Sequence, residues 1–241
     1  MGYRVLFFGL AATVWIVINL PASLMRHLVD PSAATLVAPT GTIWQGSSQL
    51  VSPLGMRAEI QWETTFLRPG ADFVLSHENS LIKGRFEPGI NSQRVTVVGQ
   101  LDTATLAPLL ARYDLFVPGI FDLEATDLTL SPEGLSMTSP SELQWSGGQT
   151  RYILAGRRYE ALMPPLVASI AGRDDGVLEA NIKFAAEETT SLLVLRLKPS
   201  GNIYLGVTRG MLRLANYPWS GNEVDSDLIF EVERKLTQTA L

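Results

Sequence analysis

Alternation of apolar and polar residues dominates the chain after its first forty positions. Residues 178–184 alternate apolar side chains, from Leu178 to Phe184, with polar ones, which is the pattern of a half-buried strand. Residues 193–197 alternate in the same way, and the turn from Pro199 to Asn202 leads into a matching run at 203–207, which predicts a hairpin. Similar short runs occupy residues 57–62, 72–77, 80–86, 94–101, 121–130, 142–146 and 211–216. Strands at this spacing predict a mainly β protein built on an antiparallel, curved sheet.

Helical patterns within this body are few. Asp102 can cap a segment in which Leu106, Leu110 and Tyr113 fall on one face, so we expect one short helix there. The Pro164-Pro165 pair followed by apolar residues suggests a second helix of one or two turns. Residues 227–236 fit either periodicity, and their alternation favours a strand. The body is therefore expected to contain one or two short helices.

The first segment of the chain is a long uncharged, mainly apolar stretch without strand-like alternation. Residues 5–20 carry no charge, and the uncharged stretch continues to Arg26. A helix over residues 5–25 rises roughly 30 Å, which matches the hydrocarbon core of a bilayer. A cleaved signal peptide is the alternative, but Leu20 and Pro21 occupy the positions where a cleavage site needs small residues. A retained transmembrane helix is the prediction.

The charges on either side of this segment suggest its orientation. Arg4 precedes it, whereas Arg26 on the far side is partly offset by Asp30, so the amino terminus is expected in the cytoplasm. We accordingly divide the chain into a cytoplasmic N-terminus (1–4), a transmembrane helix (5–25), a linker (26–40) and an exported β-rich domain (41–241).

Composition narrows the classes of function. The 241 residues have a net charge of −5, so there is no basic surplus for binding nucleic acid, and we predict no nucleic-acid partner. The chain contains no Cys, which excludes disulfides, a thiol nucleophile and Cys-ligated zinc.

The sequence offers little catalytic chemistry. Its two histidines are His27, beside the predicted membrane helix, and His77, at the end of a predicted strand. The nucleophile elbow, P-loop, zinc-protease and dinucleotide-binding motifs are all absent from the sequence. The acidic groups at 174–175 and 225–227 lack the further oxygen donors that calcium requires, so turn chemistry explains them better. We predict no catalytic, cofactor-binding or metal-binding residues, and a protein that is not an enzyme.

One motif stands out as a structural or contact element. It consists of six consecutive residues: Gly41, Thr42, Ile43, Trp44, Gln45 and Gly46. Its glycines would let the backbone bend or approach a neighbour closely, and Trp44 would bury a large ring if it faced the core. We interpret the motif as a strand with Trp44 as a core residue, with a binding role as the alternative.

This arrangement resembles the type II secretion system protein N family. The uncharged helix runs into Leu20-Pro21-Ala22, and the hexamer has the family's Gly-Thr-aliphatic-Trp-x-Gly form. Residues 128–130 and 143–145 resemble the family's middle strands, and residues 213–219 and 229–233 resemble its end. The resemblance extends over nearly the whole chain.

The resemblance implies an inner-membrane protein with a periplasmic body. Its function would be accessory: docking to other inner-membrane or periplasmic components of the machine that exports folded proteins across the outer membrane, without an active site or cofactor. The alternative is a membrane-anchored lipid carrier whose curved sheet holds lipid in an apolar trough. The sequence does not decide whether the protein forms a homodimer or whether it binds a lipid. A lipid carrier needs its apolar face open, whereas a docking protein can bury that face and use its edges or loops.

Overall fold

The structure is a computed structural model that describes residues 15, 17–27, 34–53, 55–65, 68–132, 134–154, 156–186 and 190–235. Residues 5–14 and 16 of the predicted membrane helix, and the predicted cytoplasmic residues 1–4, lie outside this set. Within it, none of the helices has the length and apolar character needed to cross a bilayer. The α-helical residues that the structure describes here end at Ile18 and a 3₁₀ helix follows Pro21, whereas the sequence predicted one helix to Met25, because a residue that precedes proline disfavours the α conformation.

Strands dominate the described chain, as the alternation predicted. They are β1 (Thr35–Gly41), β2 (Gln45–Val51), β3 (Arg57–Thr65), β4 (Arg68–His77), β5 (Ser80–Pro88), β6 (Gln93–Asp102), β7 (Leu115–Phe116), β8 (Ile120–Ser131), β9 (Gly134–Met137), β10 (Ser141–Trp145), β11 (Gly148–Leu154), β12 (Arg157–Met163), β13 (Leu166–Gly172), β14 (Leu178–Phe184), β15 (Ser191–Leu197), β16 (Asn202–Thr208) and β17 (Leu228–Lys235).

The helices are short. Among the helices whose full extent the structure describes, the α-helices are α1 (Ala107–Leu110) and α2 (Arg209–Leu214), and the 3₁₀ helices are Ala22–His27, Thr103–Leu106 and Ala111–Tyr113. Asp102 caps the segment 103–113 as predicted, since its side chain accepts a hydrogen bond from the Ala104 N–H. The antiparallel, curved, mainly β fold with few short helices is thereby confirmed.

Most strands belong to one antiparallel sheet with a simple order. It runs β1-β2-β3-β4-β5-β6-β8-β10-β13-β14-β15-β16-β17, and β9 pairs with β8. A second sheet, β12-β11-β7, contains three strands. Strands that follow each other along the chain are therefore mostly paired with each other in the large sheet. The small sheet is formed by β7, β11 and β12, which are not part of the large one.

The hydrophobic core lies between the second half of the large sheet and a layer formed by the small sheet and α2. Trp145, Leu166 and Leu192 belong to this core on the large sheet, and Ala161 and Met163 face them from β12. Two side-chain hydrogen bonds tie the layers together at the end of α2: Tyr152 Oη to Ala215 O at 2.8 Å, and Asn216 Nδ2 to Glu160 O at 2.9 Å.

Three predictions about local structure were wrong. Residues 35–40, placed in the linker, belong to β1, whose alternation is hidden by Pro39 and by a bulge with Ala38 at φ 51°. The predicted strand at 211–216 lies largely in helix α2, which starts because Thr208 Oγ1 accepts a hydrogen bond from Met211 N. The segment after Pro164-Pro165 is strand β13, because the proline pair is a connection between strands rather than a helix start.

The polar face of the large sheet is held by cross-strand ion pairs. Glu179 Oε2 lies 2.7 Å from Arg196 Nε and 3.0 Å from an Arg173 guanidinium nitrogen. The hydrogen bond from Arg196, helped by that from Arg173, lowers the pKa of Glu179. This pair contributes stability above the ordinary glutamate pKa, and the contribution is lost as pH falls through the lowered pKa.

Replacing Glu179 with glutamine should therefore destabilise the fold slightly at neutral pH and not at strongly acidic pH. We expect a loss of up to about 1 kcal/mol, because both arginines are partly in solvent and screening weakens the pair. Urea unfolding at several pH values measures it. Glu142→Gln, an exposed glutamate on β10, is the control, and an equal loss in both variants at neutral pH would contradict the assignment.

Candidate functional site

The predicted contact motif is the turn between β1 and β2, not a strand. Gly41 ends β1 with φ 87°, a backbone conformation that favours glycine. Thr42 Oγ1 accepts hydrogen bonds from the N–H groups of Trp44 and Gln45, each at 3.2 Å. The motif therefore serves turn geometry first: Gly41 at the end of β1 pairs with Gly46 in β2, and the predicted single strand is interrupted by the turn residues 42–44.

This turn also holds the chain segment that precedes the sheet. Ile43 N donates to Leu20 O at 3.0 Å, and Trp44 Nε1 donates to Val17 O at 2.8 Å. Pro21 forms an isolated antiparallel bridge with Thr42. The Trp44 side chain is half-buried, so it is a junction residue rather than the core residue that the sequence suggested.

Gly46, the last residue of the motif, makes room for a buried tryptophan. A Cβ at Gly46 would lie 2.5 Å from Cζ2 of Trp62, its register partner in β3. Trp62 is 5 % exposed, and its Nε1 donates to Thr42 O at 3.2 Å. The Trp62 side chain thus lies against Gly46 and is hydrogen-bonded to Thr42 on the other side of the turn.

Gly46→Ala should consequently destabilise the sheet. We expect a loss of about 1 to 3 kcal/mol, because the added methyl group forces the Trp62 ring or the backbone to move. Denaturant unfolding followed by tryptophan fluorescence measures it. Gln45→Ala, at an exposed position of the same turn, should change stability little, and equal effects would show that the ring does not occupy this space.

A single row of residues runs across almost the whole large sheet on its apolar face. We call it the central row, and each member is the register partner of the next. Its members, from β2 to β17, are Ser48, Ile60, Leu75, Ile82, Gly99, Leu123, Leu143, Ala168, Ile182, Leu193, Val207 and Phe230. Ser48 is its one polar side chain, so the apolar face continues from strand to strand.

The two halves of this face differ in how well they are covered. The core cluster covers the half around Trp145 and draws on no described residue of β1–β6. Along β3–β6, Ile60, Phe73, Leu75 and Ile82 are only half-buried, and Trp62 is the one large apolar side chain described there that is buried. The first half of the sheet thus has an apolar face that is partly open.

The ionisable side chains that drew attention in the sequence do not converge on a site. His77 ends β4 and His27 ends the first 3₁₀ helix, so they belong to separate elements. Asp175 Oδ1 accepts from the Val177 N–H and Asp227 Oδ2 from the Val224 N–H, which confirms their turn roles. Within the described ranges, no three His, Cys, Asp or Glu side chains are grouped as metal ligands would be.

Comparison with known proteins gives no relative. No family model, no curated protein and no solved structure matches this chain. The resemblance to the type II secretion family therefore stays a prediction from sequence. The structural features that bear on function are the apolar face and the junction at Trp44.

Proposed function

We propose that this chain is a membrane-tethered protein of the bacterial cell envelope that holds a lipid-like ligand along its curved sheet. The observation that carries the proposal is the central row, which is apolar through the eleven strands from Ile60 on β3 to Phe230 on β17. Its direction, across the strands, would let an acyl chain lie over several strands at once.

The energetic argument concerns the open half of the face. Apolar surface in water costs about 25 cal/mol per Å², so several half-buried large side chains favour an occupant that covers them. The opposite face of the same strands carries ion pairs, such as Arg85 with Asp72 at 2.8 Å, and belongs in water. An amphipathic sheet of this kind suits an apolar ligand on one side only.

The junction at Trp44 supports a position close to a membrane. Residues 17–21, the end of the predicted anchor, are hydrogen-bonded directly to the β1–β2 turn. With the uncharged N-terminal segment anchored in the inner membrane, this contact would place the β1 edge of the sheet near the bilayer surface. The apolar face would then begin where lipid is available, instead of moving freely on a linker.

A second candidate is the docking function that the sequence resemblance implies, as an accessory component of the type II secretion system. The observation that favours it is strand β17, at one end of the large sheet. Leu228, Phe230 and Val232 on this strand are 38 to 45 % exposed. Exposed edge strands accept a further strand from a partner, which would be another inner-membrane or periplasmic component of the machine.

Site-specific photocrosslinking in cells separates the two functions. The full chain would carry p-benzoylphenylalanine in place of Leu75 on the apolar face, or in place of Val74 on the polar face. Lipid retention predicts a lipid adduct at position 75 and much less at 74, detected by mass spectrometry. A protein adduct at 75 without lipid would overturn the proposal.

Deletion of the gene gives an independent readout for the second candidate. Docking predicts that folded exoproteins remain in the periplasm while signal-peptide export continues. Normal secretion with altered envelope lipid or outer-membrane permeability would exclude docking and agree with lipid retention.

A further inference from the structure

A separate cavity lies where the helical segment 103–113 meets the small sheet. It has a volume of about 570 Å³ and is bounded by that segment, β7 and the strands β11 and β12. None of the central-row residues lines it. It is therefore distinct from the apolar face, and an occupant here would be a second ligand.

The walls of this cavity are mainly apolar. Three small side chains of the helical segment leave the space open to solvent on one side, and larger ones from β7, β11 and the loop after β7 border it. The apolar lining includes Ala104, Ala107, Ala111, Leu115, Phe116 and Ile153. Volumes of roughly 300 to 1,000 Å³ with such a lining are typical of small-molecule sites.

Two arginines border this apolar space. The Arg151 guanidinium lies 4.3 Å from the centre of the Phe116 ring, a contact that holds it without neutralising it. Arg158 makes no salt bridge with any residue that the structure describes. Both guanidinium groups are exposed and available to an anion at the cavity mouth.

Two carboxylates also border the cavity, and they differ in availability. Asp102 is engaged by the Ala104 N–H at 2.9 Å and by Asn79 Nδ2 at 3.2 Å, as the cap of the helical segment. Asp114 follows the segment in the left-handed conformation, with φ 52°. Asp114 is thus the acidic group that would oppose an anionic ligand.

We infer that this cavity binds a single acyl chain with a carboxylate head group, that is, a fatty acid. The chain lies between the helical segment and the small sheet, and the carboxylate meets Arg158 and Arg151. A guanidinium binds a carboxylate through two parallel hydrogen bonds, which fixes the head while the apolar walls hold the tail. The inference uses residues outside the apolar face and does not rest on the proposed function.

The test labels the full chain in its own membranes with a fatty acid that carries a photoreactive diazirine and an alkyne. After irradiation, mass spectrometry should place the label on residues 104–117 and 151–158. The methyl ester of the same probe should label these residues about tenfold less, since it lacks the charge that the arginines bind. Equal labelling by acid and ester, or label only elsewhere, would overturn the inference.

Matched variants test the two parts of the site. Arg158→Glu should reduce labelling about tenfold, while Arg157→Glu, on the neighbouring residue that does not line the cavity, should not. Asp114→Asn should increase labelling, because it removes the opposing charge and asparagine tolerates the same backbone conformation. Unchanged labelling in Arg158→Glu would contradict the assignment.

Filling the cavity provides a variant that leaves the charges intact. Ala107→Phe should abolish labelling by occupying the tail space, whereas Ala186→Phe, at an exposed position away from the cavity, should have no effect. Thermal unfolding of both variants checks that the fold is retained. Should Ala107→Phe not fold, Ala111→Leu tests the same wall, and full labelling in either folded variant would refute binding there.

Discussion

Trp145→Ala should lower the free energy of unfolding by about 3 to 5 kcal/mol. Trp145 is 7 % exposed and lies at the centre of the core, with its ring 6.3 Å from that of Phe121. Its Nε1 donates to Pro118 O at 2.8 Å, so alanine leaves both a cavity and a carbonyl without its donor. Denaturant unfolding followed by circular dichroism measures the loss.

Trp219 offers a matched control for this substitution. Its side chain is 39 % exposed, and its Nε1 donates to Glu223 at 2.8 Å on the surface. Trp219→Ala should cost less than about 1.5 kcal/mol, since little of the ring leaves a packed environment. Trp44→Ala should fall between the two, because that ring is half-buried. Similar losses at positions 145 and 219 would mean that the core is not where we place it.

The tryptophans show why burial of an aromatic side chain is difficult to predict from sequence. Trp44 lies in a turn and Trp145 at the end of β10, whereas Trp62 lies within β3. How deeply each tryptophan is buried depends on the residues that pack against its ring, and these are distant in sequence. Gly46 packs against Trp62, and the small sheet packs against Trp145. Trp44 has a local signal equal to theirs but is in a turn, so the sequence assigned it to the core.

Strands were predictable where one face is buried and the other meets water. The hairpin of β15 and β16 alternates strictly, and its turn from Pro199 to Asn202 carries a strong local signal. Strand β13 has apolar residues on both faces, so its periodicity does not distinguish it from a helix. Helix α2 was missed because six residues give less than two turns of pattern.

The cavity had no signal in the sequence. Its walls come from residues 102–119 and 151–158, which are separated by more than thirty positions and are brought together by the pairing of β7 with β11. Three alanines and two arginines at such distances look like ordinary surface composition. The apolar face, in contrast, was predictable strand by strand, and what the structure adds is the register that joins it into one row.

Leu75→Glu should reduce the lipid retained by the full chain by roughly tenfold or more. A carboxylate against acyl chains costs about 2 to 3 kcal/mol, and Leu75 lies in the central row on the half of the face that the core leaves partly open. The lipid per protein is measured by mass spectrometry after purification in mild detergent, with circular dichroism to verify the strand content.

Val74→Glu is the control that makes this result specific, because Val74 is the next residue of the same strand and faces the opposite side. Its register partners are Gln61 and Lys83, so a glutamate there joins a polar surface and should leave lipid retention unchanged. Both variants carry the same added charge and the same N-terminal segment, so any lipid bound around that segment is equal in the two. A loss shared by both would point to that segment or to stability. If a folded Leu75→Glu variant retains as much lipid as the unchanged protein, the apolar face is covered by protein. The docking function would then be the better explanation.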